Sequence, residues 1–223
     1  MSMEREIRVT GKGKLKLKPD TISLLVGLTD QDIDYYESIR KSTEHSQELR
    51  EAVEALGFHG TELKTLSFRS DTVYVSYQDE NDNSWKQRFV GYRVTHEMKL
   101  EFPMDNELFG KVLQKVARLS GTPEFHVDYT VKDTDSAKNE LLKAAVADSR
   151  RKAEVLTEAA GAGLGEILTI DYSWGEIEFV TNPVSRLAEP MMAYDTLTDG
   201  IAMDIEPDDI DVEDTVTVVW ALQ

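Results

Sequence analysis

The chain has 223 residues, 40% of them apolar and 30% charged, which suits one large or two small domains with a sizeable core. Lys and Arg total 25 against 42 Asp and Glu, and the resulting formal charge of −17 repels nucleic acid and anionic membrane surfaces, leaving a protein or a cation as the expected partner. The absence of cysteine excludes disulfides, thiolate catalysis and thiolate metal sites.

The opening "MSMEREIRVTG" lacks the apolar core of a signal peptide, and no run approaches the roughly 18 apolar residues of a membrane span, so the expected protein is soluble, without a membrane span, and cytoplasmic. In "VTGKGKLKLKPD", residues 9–20, two glycines and a row of lysines resemble a phosphate loop. The period contradicts that resemblance. Ile7, Val9, Leu15 and Leu17 alternate with Arg8, Lys12, Lys14, Lys16 and Lys18, as in a half-buried strand, and no helix opens behind the glycines. Gly11 and Gly13 then read as a bulge. After Pro19-Asp20 the alternation resumes at Ile22, Leu24, Val26 and Leu28, which predicts a hairpin between the two strands.

A helix follows, with Ile39, Thr43, Ser46, Leu49, Val53 and Leu56 inward and a Schellman stop at Gly57-Phe58. Strands are predicted at Leu66 and Phe68, at Val73, Val75 and Tyr77, and over Tyr92, Val94, Met98, Leu100 and Phe102, with "QDENDNSW" as a hairpin tip. Leu108, Val112, Val116 and Leu119 mark a second helix, and Phe125, Val127, Tyr129 and Val131 another strand. The longest helix spans Ser136 to Ala160, its inward stripe read as Ala137, Leu141, Ala144, Ala145, Leu156 and Ala160. "GAGLG", residues 161–165, closes that helix as a C-cap, in the reverse order to a dinucleotide fingerprint. "ILTIDYSW" and the alternating Ile210, Val212, Val216, Val218, Trp220 and Leu222 supply the last strands. Hairpins dominating the first half argue for α+β, with helices packed on largely antiparallel sheets. The chain reads as one unit, divisible into subdomains at about 1–103 and 104–223, with an irregular insertion over 175–207.

Few residues carry chemistry. The four histidines, His45, His59, His96 and His126, lie on separate elements without zinc spacing. His96 occupies an inward position and reads as a hydrogen-bonded core histidine, with a catalytic base as the rival. Asp148, near the buried face of the long helix, is expected to anchor structure through an arginine or a backbone amide. Asp79, Asn81 and Asn83 match the first ligands of a calcium loop, but Ser84 stands where that loop needs glycine. The acidic run "DIEPDDIDVEDT" reads as a strand entry with solvated acids, and cation binding there is the alternative. No catalytic residue, cofactor site or metal site is predicted.

The assembled order resembles the SIMPL-domain proteins, a bacterial group of largely unknown function that includes periplasmic immunogenic and stress-associated members. The resemblance rests on "VTGKGKLKLKPDTISLLVGL", on "GY" at 91 and 92, on "AAVADSRRKAEVLTEAAGAGLGEI" and on "IEPDDIDVEDTVTVVWAL". It implies an α+β fold and, in some members, large ring-like or channel-like homo-oligomers. It supplies no catalytic residues. The expected function is therefore that of a non-enzymatic, self-assembling protein, in stress protection or as a scaffold. The alternatives are an enzyme with a pocket using His96 or Asp148, and a weak cation-dependent binding module. The apolar content of the 175–207 insertion suits a subunit contact centred on Met191, Met192 and Tyr194, with an ordered flap on the same subunit as the other reading.

Overall fold

The structure, a computed structural model, describes residues 5–79, 83–121, 123–172, 177–181 and 205–223. It divides into two compact units, each assembled from separate stretches of chain.

One unit comprises Met1–Asp20, Thr130–Thr181 and Pro207–Gln223. It holds strand β1 (Glu6–Leu17), helix α3 (Thr134–Ala159), strands β6 (Leu164–Asp171) and β7 (Val180–Thr181), and the closing strand β8 (Ile210–Leu222). Its sheet runs in the order β1-β8-β6, with both pairings antiparallel. The other unit, Thr21–Tyr129 and Asn182–Glu206, holds β2 (Thr21–Asp32), α1 (Tyr35–Glu54), β3 (Lys64–Gln78), β4 (Trp85–Pro103), α2 (Asn106–Val116) and β5 (Glu124–Thr130), its strands in the order β3-β4-β2-β5. The α+β class holds.

Both predicted helix stops form. Gly57 at φ +97° lets its N–H reach Glu54 O at 2.9 Å while Phe58 N–H reaches Val53 O at 3.4 Å. Gly161 at φ +68° repeats the device on α3, with Ala162 N–H on Thr157 O at 2.9 Å. Each helix also starts on an aspartate, Asp34, Asp105 or Asp133, whose carboxylate accepts from first-turn N–H groups. The core of the second unit buries Ile22, Leu24, Val26 and Leu28 of β2 and Met98, Leu100 and Phe102 of β4 against Leu49, Val53, Phe109 and Val112 of the helices. These are the positions that the alternations of two and of three to four pick out.

Four expectations are corrected. The β1–β2 hairpin does not form: Lys14 of β1 faces Glu213 of β8, and Leu24 of β2 faces Leu100 of β4. Alternation fixes which face of a strand is buried but is silent on its partner. Nor is Gly11-x-Gly13 a bulge, because the β1–β8 register runs unbroken from Glu6 to Leu17. The glycines are there for space. A Cβ on Gly11 would lie 2.0 Å from Ala145 O and 2.4 Å from Ser149 N, and one on Gly13 would lie 2.2 Å from Leu141 O, so the α3 backbone rests directly on this strand. The stripe that α3 presents is accordingly Ala137, Leu141, Ala145, Ser149, Ala153 and Thr157, one residue in four, while Leu156 is exposed and Ala144 half-buried. Such a row is an i±4 ridge laid across the sheet. In α1, Ser38 and Ser42 are buried where Thr43 was expected, and Thr43 is exposed.

Candidate functional site

In the first unit, β1 and α3 frame a shallow cleft of about 610 Å³ lined by Lys12, Lys14, Ala144, Ala147, Asp148, Arg151 and Lys152. The lysines lie there because the even positions of β1 face outward, and Asp148 because it immediately precedes Ser149 of the buried ridge. Asp148 accepts from Lys12 N–H at 2.9 Å, from Lys152 Nζ at 2.8 Å and from the Arg151 guanidinium. The Lys152 hydrogen bond and the Lys12 amide hold its carboxyl down at about 2. A carboxylate so acidic is a poor general base at neutral pH, and the group serves as a latch between helix and strand, through both an arginine and a backbone amide as its position predicted.

Asp148 is one of three such ties. Lys152 Nζ donates to Thr10 O at 3.2 Å and Ser149 Oγ to Val9 O at 3.1 Å. On the outward face, Lys14 reaches Glu213 at 2.6 Å, Lys12 pairs with the same carboxylate, and Lys16 stands 3.7 Å from Asp209. Hydrogen bonds from Lys12 and then Lys14 push the Glu213 carboxyl below its ordinary range. Asp214 accepts from Tyr172 Oη at 2.9 Å. The lysine row and the acidic run, each odd when read alone, are thus the two sides of one antiparallel ladder.

In the second unit His96 is half-buried, its Nε2 2.9 Å from Thr65 Oγ1 and its ring edge-on to Phe68 at 5.2 Å. Burial, then the Arg50 charge, lowers its pKa. This is the environment of a packed histidine. A pairing that the sequence did not announce lies nearby in the same unit: His45 Nδ1 donates to Oδ1 of the buried Asp30 at 2.7 Å, and Asp30 Oδ2 is buried without a partner. The signal was present in the parity of β2, since Asp30 continues the inward series Ile22, Leu24, Val26, Leu28. Among the described residues no three or more His, Asp or Glu are grouped to hold a metal. At the turn with the partial calcium-loop match, Asp79 pairs with Lys86 at 2.5 Å, and Asn81 lies outside the described residues.

The largest unabsorbed feature is a surface. Every residue of β3 is exposed except Val73, which is half-buried. With the first turns of β4 it displays Leu66, Phe68, Tyr74, Val75, Tyr77, Trp85 and Phe89, with Trp85 74% exposed. Edge-to-face contacts link Tyr74 to Phe89 at 5.7 Å, Phe89 to Tyr92 at 5.2 Å and Tyr92 to Tyr35 at 5.2 Å, so the rings form a continuous row. Met191, Met192 and Tyr194, the expected subunit contact, lie outside the described residues.

Comparison with known proteins follows the same outline. The family model described as SIMPL, a protein of unknown function, matches residues 7–220. The 26 kDa periplasmic immunogenic protein of Brucella melitensis is 27% identical over 166 residues, covering 74% of this chain and 65% of the relative. The protein of the same name from Brucella abortus matches to the same extent. The matched region thus spans just under two thirds of these relatives' length. Both are named as periplasmic, which overturns the cytoplasmic expectation and points to export. The cytoplasmic expectation rested on the opening residues lacking an apolar core, and a cleaved export segment leaves no trace in a fold; a cysteine-free acidic domain suits either compartment. Among the described residues no helix is long and apolar enough to cross a membrane.

Proposed function

This chain belongs to the SIMPL family of proteins of unknown function, and from that premise we propose that it is an exported, non-enzymatic protein that works by assembling with copies of itself. The observation that carries the reading is the aromatic and aliphatic surface that β3 and β4 expose among the described residues. Contiguous apolar surface of that kind, rimmed by polar groups, marks protein contacts, and leaving it wet forgoes roughly 25 cal/mol for each Å². The titratable groups best placed for catalysis support the same reading: Asp148 is committed to a structural latch, and His96 is packed beside Phe68. Export follows the relatives named as periplasmic.

The Met191, Met192 and Tyr194 cluster enters as a second contact on composition alone. Light scattering of the full chain tests the proposal. A mass that is a multiple of 25.2 kDa at tens of micromolar supports assembly, and a strictly monomeric mass overturns it. Replacing Met191, Met192 and Tyr194 together by serine should lower that mass with circular dichroism unchanged; a retained mass removes the cluster from the contact.

A further inference from the structure

We propose that β3 pairs antiparallel with β3 of a second copy of this chain, about a two-fold axis passing through Ser70. The inference rests on the self-assembly proposed above and names its surface and register.

β3 ends its strand order, runs for 15 residues and is exposed along nearly its whole length. Proteins normally blunt such an edge with proline, inward charge or lysines. β3 contains no proline, and its one lysine, Lys64, stands at its first residue. The strand is also locally suited to approach by a like copy: Lys64 and Arg69 against Asp71 give residues 64–78 a charge of +1, whereas the whole chain carries −17. Two copies can meet here without the repulsion that the rest of the surface imposes.

The register follows from three constraints. The β3–β4 ladder shifts between Thr65 and Ser67 and again between Val73 and Tyr74, leaving Ser67–Val73 as its regular run, and Ser70 is the middle of that run. A two-fold contact places residues equidistant from the axis opposite each other. About Ser70 this sets Arg69 against Asp71 of the other copy twice over, with Phe68 against Thr72. In the single chain Arg69 Nε lies 2.8 Å from Asp71 Oδ2 with both side chains exposed, and pairing across the axis would exchange this exposed ion pair for two between copies. An axis at Arg69 or Asp71 would oppose like charges, which destabilises a ladder. An axis between two residues would oppose backbone groups facing the new partner with groups already turned to β4.

Because the chain has no cysteine, a single introduced thiol is the only one present. Full-length Ser70→Cys, oxidised under mild conditions, should form a covalent dimer, because residues facing across an antiparallel pair stand about 4.5–5.5 Å apart at Cα. Thr72→Cys should cross-link at least tenfold more slowly, since its two copies are offset by four residues, roughly 13 Å along the strands. Arg69→Asp should weaken assembly on the order of tenfold, and Arg69→Asp combined with Asp71→Arg should recover it. If the native chain is multimeric but Ser70→Cys cross-links no faster than Thr72→Cys, or the charge exchange recovers nothing, the β3 contact is wrong while self-assembly stands. A monomeric native chain with no cross-linking removes both.

Discussion

Strands β1 and β3 both end their strand orders, but their edges are treated in opposite ways. The edge of β1 is capped: Asp148 accepts from its Lys12 amide, Lys152 donates to its Thr10 carbonyl, and α3 lies against its glycines. Its charged face is neutralised by Glu213 of β8, which faces Lys14 in register, and by Asp209 just before that strand. β3 has aromatic side chains in place of glycines and stays exposed. An edge strand needs a partner for its backbone and for its apolar side chains. β1 obtains both within its own unit, whereas among the described residues β3 pairs on one side only, with β4, and stays exposed.

The comparison breaks most readily at the glycines. Gly11→Ala should cost about 3 kcal/mol or more by chemical denaturation, because the new methyl would meet α3 backbone at 2.0 Å and side chains alone cannot yield. A cost under about 1 kcal/mol would mean that α3 is not seated on β1. Ala145→Leu should follow at about 1–3 kcal/mol by overpacking the same contact, and Ala144→Leu, half-buried, should cost distinctly less. Equal losses would place the wrong face of α3 inward.

The latch sharpens the comparison through pH. Asp148 has a depressed pKa, so the stability it contributes is present above the ordinary carboxylate range near 4 and is lost as pH falls through about 2. Acid denaturation of Asp148→Asn should therefore show a shallower loss of stability over that window than the parent, read by fluorescence from pH 5 to 1.5. Identical slopes would mean that the latch does not hold in solution. The smallest stability effects belong to β3 and β4. Leu66→Ser and Trp85→Ser should each change stability by no more than about 0.5 kcal/mol while lowering the mass seen by light scattering. Unfolding of either variant would show that this face of β3 and β4 is internal core and not a contact surface.

Much of this was legible in the chain itself. The α+β class, the faces of β2, β4 and β8 and both glycine stops follow from periodicity and cap chemistry, which act over a few residues. Asp148 was legible as an anchor because a carboxylate beside a buried helix face must find partners. His45 and Asp30 were not, since their pairing joins a helix to a strand fifteen residues back, and only the inward parity of Asp30 hinted at it.

Partner choice belonged to the tertiary structure. The sequence determined which side of each strand is apolar, where the helices stop and that the chain carries a lysine row near its start and an acid row near its end. That these two rows face each other across some 200 residues, that Gly11 and Gly13 exist to admit a helix, and that β3 is exposed among the described residues were decided only by assembly. Local patterns report burial and backbone conformation, whereas pairing depends on loop closure and on competition among all the strands, which no window of sequence contains.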